Sequence, residues 1–301
     1  MNMTLVTGAS GFVGSHLMKE MARRGLSVRG VTRGTVPDLV TIPSYGPEMD
    51  WNECLEGVDT VIHLAARVHV MRETASDPLA LFREANVAST INLARQAVAA
   101  GVRRFVFVSS IKVNGERTEP GKPFTADDIP NPQDPYGISK AEAEAALMVL
   151  GRETGMEIVI VRPPLVYGPG VRGNFRSLMK WAASGMPSIF GAVKNKRSFV
   201  HVANLCDFLI TVLDHPKAAN QIFLVSDGQD LSTHELLVKL TEAAGRKPRN
   251  IPVAPGILNA IGRLARREAA VARLTENLQV DMSANWQLLG WRPLATLERD
   301  L

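Results

Sequence analysis

Short runs rich in Val and Ile recur along the chain with stretches of helical spacing between them, and this alternation restricts the fold more than any other feature. The apolar runs are Met3 to Thr7, Ser27 to Val31, Thr60 to His63, Arg104 to Ser109 and Glu157 to Arg162. Gly11 to Arg24, Leu79 to Ala100 and Tyr136 to Gly151 carry helical spacing and helix-forming composition. Strands apolar along their whole length are covered on both faces, so the pattern predicts an α/β fold built on a doubly wound parallel sheet. After Arg162 the rhythm breaks at "RPPLVYGPGVRGN", and the segments after Gln221 are shorter and mixed. The expectation is a sheet domain from 1–165 with 195–227, and a smaller C-terminal lobe from 166–194 with 228–301.

Composition limits the function classes. With 46% hydrophobic and 21% charged residues in 301, the chain is globular in balance, and no run approaches the roughly 20 apolar residues of a membrane span. The opening "MNMTLVTGASG" reads as a strand entering a turn, with no features of an export signal. Cys54 and Cys206 stand far apart without ligand spacing, and six scattered histidines suggest no metal site. A reducing cytoplasm fits these features. The net charge of +4 is spread out and aromatics are 6%, so nucleic acid is not the expected partner; a small anionic molecule is.

"LVTGASGFVGSHL" sets Gly8, Gly11 and Gly14 where a strand turns into a helix. Gly8 permits the tight turn, Gly11 lets backbone approach a pyrophosphate, and Gly14 lets the helix lie close on the sheet. The helix start, Phe12 and Val13 included, is expected to touch a dinucleotide. An NAD site usually has an acidic residue at the end of the second strand, and here Thr32 and Arg33 stand there. Arg33 can hold a 2′-phosphate that a carboxylate would repel, so NADP(H) is favoured and NAD(H) is possible. Arg33 can also simply line the adenine or point to water.

"PYGISKAEAEAAL" places Tyr136 and Lys140 on one face of a helix. A nearby ammonium lowers a phenol's proton affinity, but the YxxxK spacing alone is a common accident. Weight comes from "FVFVSSIKVNG", which delivers Ser109 and Ser110 to the carboxyl edge of the sheet. Between the two runs, Val113 to Pro135 has five prolines and little periodicity, a long connection of the kind often used for function.

Together with "HLAA" at His63 to Ala66, "RPPLVYGPG", "RSFVHVANLCDF" and "LGWRP", these motifs resemble the extended short-chain dehydrogenase/reductases over almost the whole chain. The resemblance implies a Rossmann-type sheet with a nucleotide-sugar lobe. It implies catalytic Ser110 (rather than Ser109), Tyr136 and Lys140, with Lys140 bonding the nicotinamide ribose and depressing the tyrosine pKa. Ala65 and Ala66 would line the cofactor, and Tyr136 and Lys140 would touch it too. Asn174 and Arg197 match positions that contact the substrate diphosphate, although Asn174 can equally cap its helix and Arg197 can pair with a surface carboxylate. His63 and His201 are expected to pack in the interior, and His69 to face the substrate without a catalytic role. "GILNAIGRLARR" is amphipathic and basic, as membrane-contacting helices are, but a surface helix of the second lobe is the expectation.

The same likeness narrows the reaction. Dehydratases of the family carry an acid and a carboxylate where Ile111 and Lys112 stand, so dehydration is disfavoured. Epimerases usually keep NAD through the acid missing at Thr32, and commonly have asparagine at Leu165 and tyrosine at Asn114. "AARVHVMRE" and "PPLVYGPGVRGNF" resemble bacterial UDP-sugar 4-ketoreductases that make UDP-N-acetylquinovosamine or UDP-N-acetylfucosamine. The implied function is NADPH-dependent reduction of a UDP-4-keto-6-deoxy-N-acetylhexosamine for surface polysaccharide. An NAD-dependent UDP-sugar 4-epimerase is the alternative, and a non-catalytic NADP-binding protein a third. The family also implies a homodimer through a four-helix bundle.

Overall fold

The structure is a computed structural model and describes residues 3–68, 77–171 and 173–294. Seven strands form the main sheet: β1 (Met3–Thr7), β2 (Val28–Thr32), β3 (Val40–Thr41), β4 (Val58–His63), β5 (Arg104–Val108), β6 (Glu157–Arg162) and, beyond the pair β7 (Leu165–Tyr167) and β8 (Phe199–His201), β9 (Gln221–Leu224). Their order is β3-β2-β1-β4-β5-β6-β9, every pairing is parallel, and β7 pairs with β8 apart from the sheet.

Successive strand residues point to opposite faces, and the sequence supplies an apolar side chain at nearly every step. Leu5, Val61, Phe105, Ile158 and Ile160 enter one core with Trp51, Leu93 and Leu147. Their neighbours Val6, Ile62, Val106, Val159 and Val161 enter the other, with Leu17, Leu205 and Phe208. This two-sided burial gives the doubly wound parallel sheet expected from the alternation, of the Rossmann type that the resemblance implies. The last described helix, Ser283–Leu289, and Trp291 return to the second of these cores, where Trp291 donates to Asp207 at 2.7 Å.

A separate apolar cluster joins Tyr167 and Phe175 to Leu236 and Leu240 of the helix Thr233–Ala243. Another joins Phe190 and Leu237 to Leu258 of the helix Pro255–Leu264. The long connection from Val113 to Pro135 is stitched to the chain near Gln279, with Phe124 N donating to Gln279 O and Asp281 N to Phe124 O. Those bonds answer where its backbone groups go despite its irregular shape.

Candidate active site

The carboxyl ends of β1, β2, β4 and β5 open into one cleft of about 1070 Å³. Chain order reverses between β1 and β4 there, which is where open α/β sheets leave a crevice. Gly8, Gly11, Phe12, Val13, Gly14, Thr32, Arg33, Ala65, Ala66, Ser110, Tyr136 and Lys140 all line it.

The glycine turn forms one wall. Gly8 has φ +67°, and a Cβ there would stand 2.9 Å from Ala65 N. At Gly14 a Cβ would meet Gly8 O at 2.2 Å and Ala9 Cα at 2.8 Å. The third glycine therefore lets the helix close on the turn itself, more than on the sheet as its spacing suggested. The helix Phe12–Arg23 begins at Gly11 without a side-chain cap and without an acidic residue in its first turn. Its first N–H groups and positive dipole end are left for an anion, so the residues present fit a dinucleotide pyrophosphate.

The floor is a buried polar chain. Thr7 Oγ1 lies 2.7 Å from His63 Nδ1 and accepts from Ala65 N at 3.2 Å, while His63 Nε2 meets Tyr45 Oη at 2.7 Å and Thr90 Oγ1 at 3.0 Å. Burial, helped by the charge of Lys140, pushes His63 down to about 3, so its imidazole is neutral. It closes the end of β4 as a packing residue. At the far side, Thr32 Oγ1 is held 2.7 Å from Ser10 Oγ, and Arg33 lies exposed on the rim.

The opposite wall carries the reactive groups. Ser110 follows β5 and accepts from Lys112 N at 3.3 Å, capping a short turn. Tyr136 and Lys140 stand in the first turns of the helix Pro135–Thr154. That start is sharply defined: Asp134 Oδ1 accepts from Gly137 N at 2.7 Å, and Pro135 occupies the first helical position. Lys112 binds the same aspartate and, at 2.9 Å, Glu116. The residue standing where a dehydratase has a carboxylate thus holds the cap of the Tyr136 helix.

Burial pushes the Tyr136 phenol up to about 12; the hydrogen bond with Ser110 works against this, and the Asp134 charge adds to it. Lys140 is 1% exposed, with Nζ 4.0 Å from the centre of the Phe107 ring. Its own desolvation brings it down to about 7, against the pull of Glu144. In the chain by itself desolvation is the largest cause of both shifts, and the charge of Lys140 is not among the causes at Tyr136.

Two anchoring devices escaped the sequence reading. Glu144, on the Tyr136 helix, receives Arg162 of β6 as a fork: Nε to Oε1 at 3.0 Å and Nη2 to Oε2 at 2.6 Å. Arg162 Nη1 also donates to Asn114 Oδ1 at 3.0 Å, so Asn114 serves this buried network instead of facing the cleft. The second device is Asn86, 1% exposed within the π-turn Glu84–Ala88. It donates to Arg67 O and Ser139 Oγ, both at 3.0 Å, and so ties the segment after β4 to the Tyr136 helix. An acidic residue four positions beyond Lys140 and an arginine ending a strand were the available signals for the first; nothing local marks the second.

Of the two candidate substrate residues, Arg197 is not part of the cleft lining. Arg197 pairs its backbone with Leu231, donates from Nη1 to Glu276 O at 3.0 Å, and is pushed down to about 10 by burial. Asn174 sits at the start of the helix Gly173–Ser184. His201 is buried, with Nδ1 accepting from Ala203 N at 3.3 Å and its ring edge-on to Tyr167. His69 lies outside the described residues. Among the described residues no cluster of metal-ligating side chains occurs, and no helix is long and apolar enough to cross a membrane.

A family model described as the NAD dependent epimerase/dehydratase family matches residues 4–226. The chain is 45% identical over 300 residues to a UDP-glucose 4-epimerase of Vibrio cholerae, covering 98% of this chain and 92% of that one. It is 28% identical over 308 residues to a GDP-6-deoxy-D-mannose reductase of Pseudomonas aeruginosa, covering 98% and 93%. A solved structure of MoeE5 in complex with UDP-glucuronic acid and NAD superposes with a TM-score of 0.79 at 27% identity, covering 99% of this chain and 95% of the other.

Proposed function

The chain belongs to the NAD dependent epimerase/dehydratase family, the extended short-chain dehydrogenase/reductases, and on that premise we propose that it reduces the 4-keto group of a UDP-4-keto-6-deoxy-N-acetylhexosamine with NADPH, in the supply of surface polysaccharide precursors. The observation that carries the reading is the convergence of Ser110, Tyr136 and Lys140 on the cleft whose other wall is the glycine turn. A bound reduced nicotinamide supplies hydride to the carbonyl carbon. Ser110 donates a hydrogen bond to the carbonyl oxygen, Tyr136 gives that oxygen its proton, and Lys140 carries positive charge beside the forming alcohol. The products are a secondary alcohol and the oxidised cofactor, and solvent returns the proton to Tyr136.

Thr32 and Arg33 support the phosphorylated cofactor, since no carboxylate ends β2 and the exposed guanidinium is available to a 2′-phosphate. The lobe of 166–194 and 228–301, with Asn174 and Arg197, would take the sugar nucleotide. The helices Ser89–Ala99 and Pro135–Thr154 would pair with those of a second copy as a homodimer; a monomer by light scattering at micromolar concentration would contradict that. The second reading, an NAD-dependent UDP-sugar 4-epimerase, is favoured by the Vibrio relative.

The test incubates the purified protein with the 4-keto sugar nucleotide and NADPH, and separately with UDP-GlcNAc or UDP-glucose without reductant. Stoichiometric loss of NADPH in the first supports the reductase. Exchange of C4 epimers in the second, with none of that loss, establishes the epimerase. Tyr136→Phe should cut turnover by about 10² to 10⁴ while leaving NADPH affinity nearly intact.

A further inference from the structure

The helix Pro255–Leu264 docks through Leu258 and Gly262, and a Cβ at Gly262 would come within 2.7 Å of the Val271 side chain. Its other apolar residues are not needed for that contact. Ile257, Ile261 and Leu264 recur at i, i+4 and i+7, so they form one stripe, and they are 56%, 54% and 90% exposed. Ile251, in the segment leading into the helix, is 48% exposed. An exposed apolar stripe such as that of Ile257, Ile261 and Leu264 marks an interaction surface.

The segment that carries the stripe is basic along its length, with Glu242 and Glu268 only at its two ends. From Ala243 to Arg267 there is no Asp or Glu, while Arg246, Lys247, Arg249, Arg263, Arg266 and Arg267 all occur and all are exposed. Only Arg263 has a carboxylate partner among the described residues, Glu268 at 3.2 Å, and both members of that pair are largely in solvent. Six exposed cations on the segment that carries the aliphatic stripe fit an anionic lipid surface, which receives aliphatic side chains at the acyl boundary and cations at the headgroups. Two copies of the chain joined through this patch would bring like charges together. The segment has no aromatic residue on which nucleic acid bases could stack.

We propose that the helix Pro255–Leu264 and its basic flanks dock the protein peripherally on an anionic membrane surface. The experiment sediments the full-length protein with vesicles of phosphatidylglycerol and phosphatidylcholine, and with phosphatidylcholine alone, at low and high salt. Binding should require the anionic lipid and weaken as salt screens it. Arg266→Glu with Arg267→Glu should lower partitioning about 25-fold or more, from roughly fivefold for each cation removed. Ile261→Asp with Leu264→Asp should lower it even where the charges are intact. Both double variants should keep wild-type turnover and thermal stability, since neither touches the cleft or a core. No partitioning into anionic vesicles at low salt overturns the proposal, as does partitioning that both variants retain. A change in oligomeric state caused by the aspartates, without vesicle binding by the wild type, assigns the patch to a protein partner instead.

Discussion

Removing one member of the Glu144–Arg162 pair should damage the protein far more than removing both. The two side chains are 5% and 2% exposed, and the fork between them joins the helix of Tyr136 and Lys140 to β6. Glu144→Gln keeps the shape but leaves the Arg162 guanidinium buried without a counter-charge. Arg162→Met leaves the carboxylate buried and also strips Asn114 Oδ1 of its donor. An uncompensated buried charge costs about 3–5 kcal/mol, whereas replacing a whole buried pair with apolar residues of similar volume is often neutral or stabilising. At roughly 2–4 °C per kcal/mol, each single variant should melt about 6–20 °C lower.

The double variant Glu144→Leu with Arg162→Met should recover most of that loss. Urea denaturation of wild type, Glu144→Leu, Arg162→Met and the double gives the cycle directly, with Glu144→Gln as the isosteric comparison. A single variant that loses under about 1 kcal/mol would mean that water reaches the pair. A double variant that loses the sum of the singles would mean that the fork itself, and not charge compensation, stabilises the helix. Glu144 also raises the proton affinity of Lys140, so Glu144→Gln should move the lysine below its value of about 7. Selective reactivity of Lys140 toward an amine reagent, followed against pH, reads that shift separately from stability.

Two predictions concern the cofactor. Arg33→Ala should weaken NADPH about tenfold or more and hardly change NADH, because a charge-assisted contact contributes on the order of 1.5–3 kcal/mol; equal affinities of the wild type for the two cofactors by fluorescence titration would refute this. Gly14→Ala should abolish cofactor binding or fold poorly, since the Cβ would meet a backbone oxygen at 2.2 Å that no rotamer change can relieve. Gly25→Ala, with open space around its Cβ position but φ +68°, is the control for strain alone; comparable loss of binding in it would discount the close-approach argument.

The sheet was legible because its signal is local and repeated: five apolar runs at parallel-strand length match β1, β2, β4, β5 and β6 to within two residues at each end. β9 and the pair β7–β8 were not marked. They comprise four and three residues, too short for periodicity, and exist because distant segments meet. The helix expected from Leu79 to Ala100 is interrupted by the π-turn Glu84–Ala88, which no composition betrays. At the site, residue types and spacing pointed to Gly8, Gly11, Gly14, Tyr136 and Lys140, and the family resemblance chose Ser110; all line one cleft, as Ser109 does. Their supports were hidden, because Glu144–Arg162 and Asn86–Ser139 are contacts across 18 and 53 residues of chain. A lysine–tyrosine spacing likewise says that two groups share a helix face, but not how far each is desolvated.

That last difference yields a direct test. The protein has three tyrosines, so an ultraviolet titration of wild type minus Tyr136→Phe isolates one phenol. With burial pushing Tyr136 up to about 12, no phenolate from it should appear below about pH 10 in the cofactor-free protein. Adding oxidised cofactor, whose nicotinamide ring is cationic, should move the titration to lower pH if that ring sits near the phenol. A phenolate forming near pH 7 without cofactor would refute the desolvation argument and restore the lysine as the sufficient cause. The outcome bears on the reaction, because ketone reduction needs a protonated donor and works with a high phenol pKa. An epimerase must also take a proton from a sugar hydroxyl, so it needs the phenolate that only a bound cofactor would then provide.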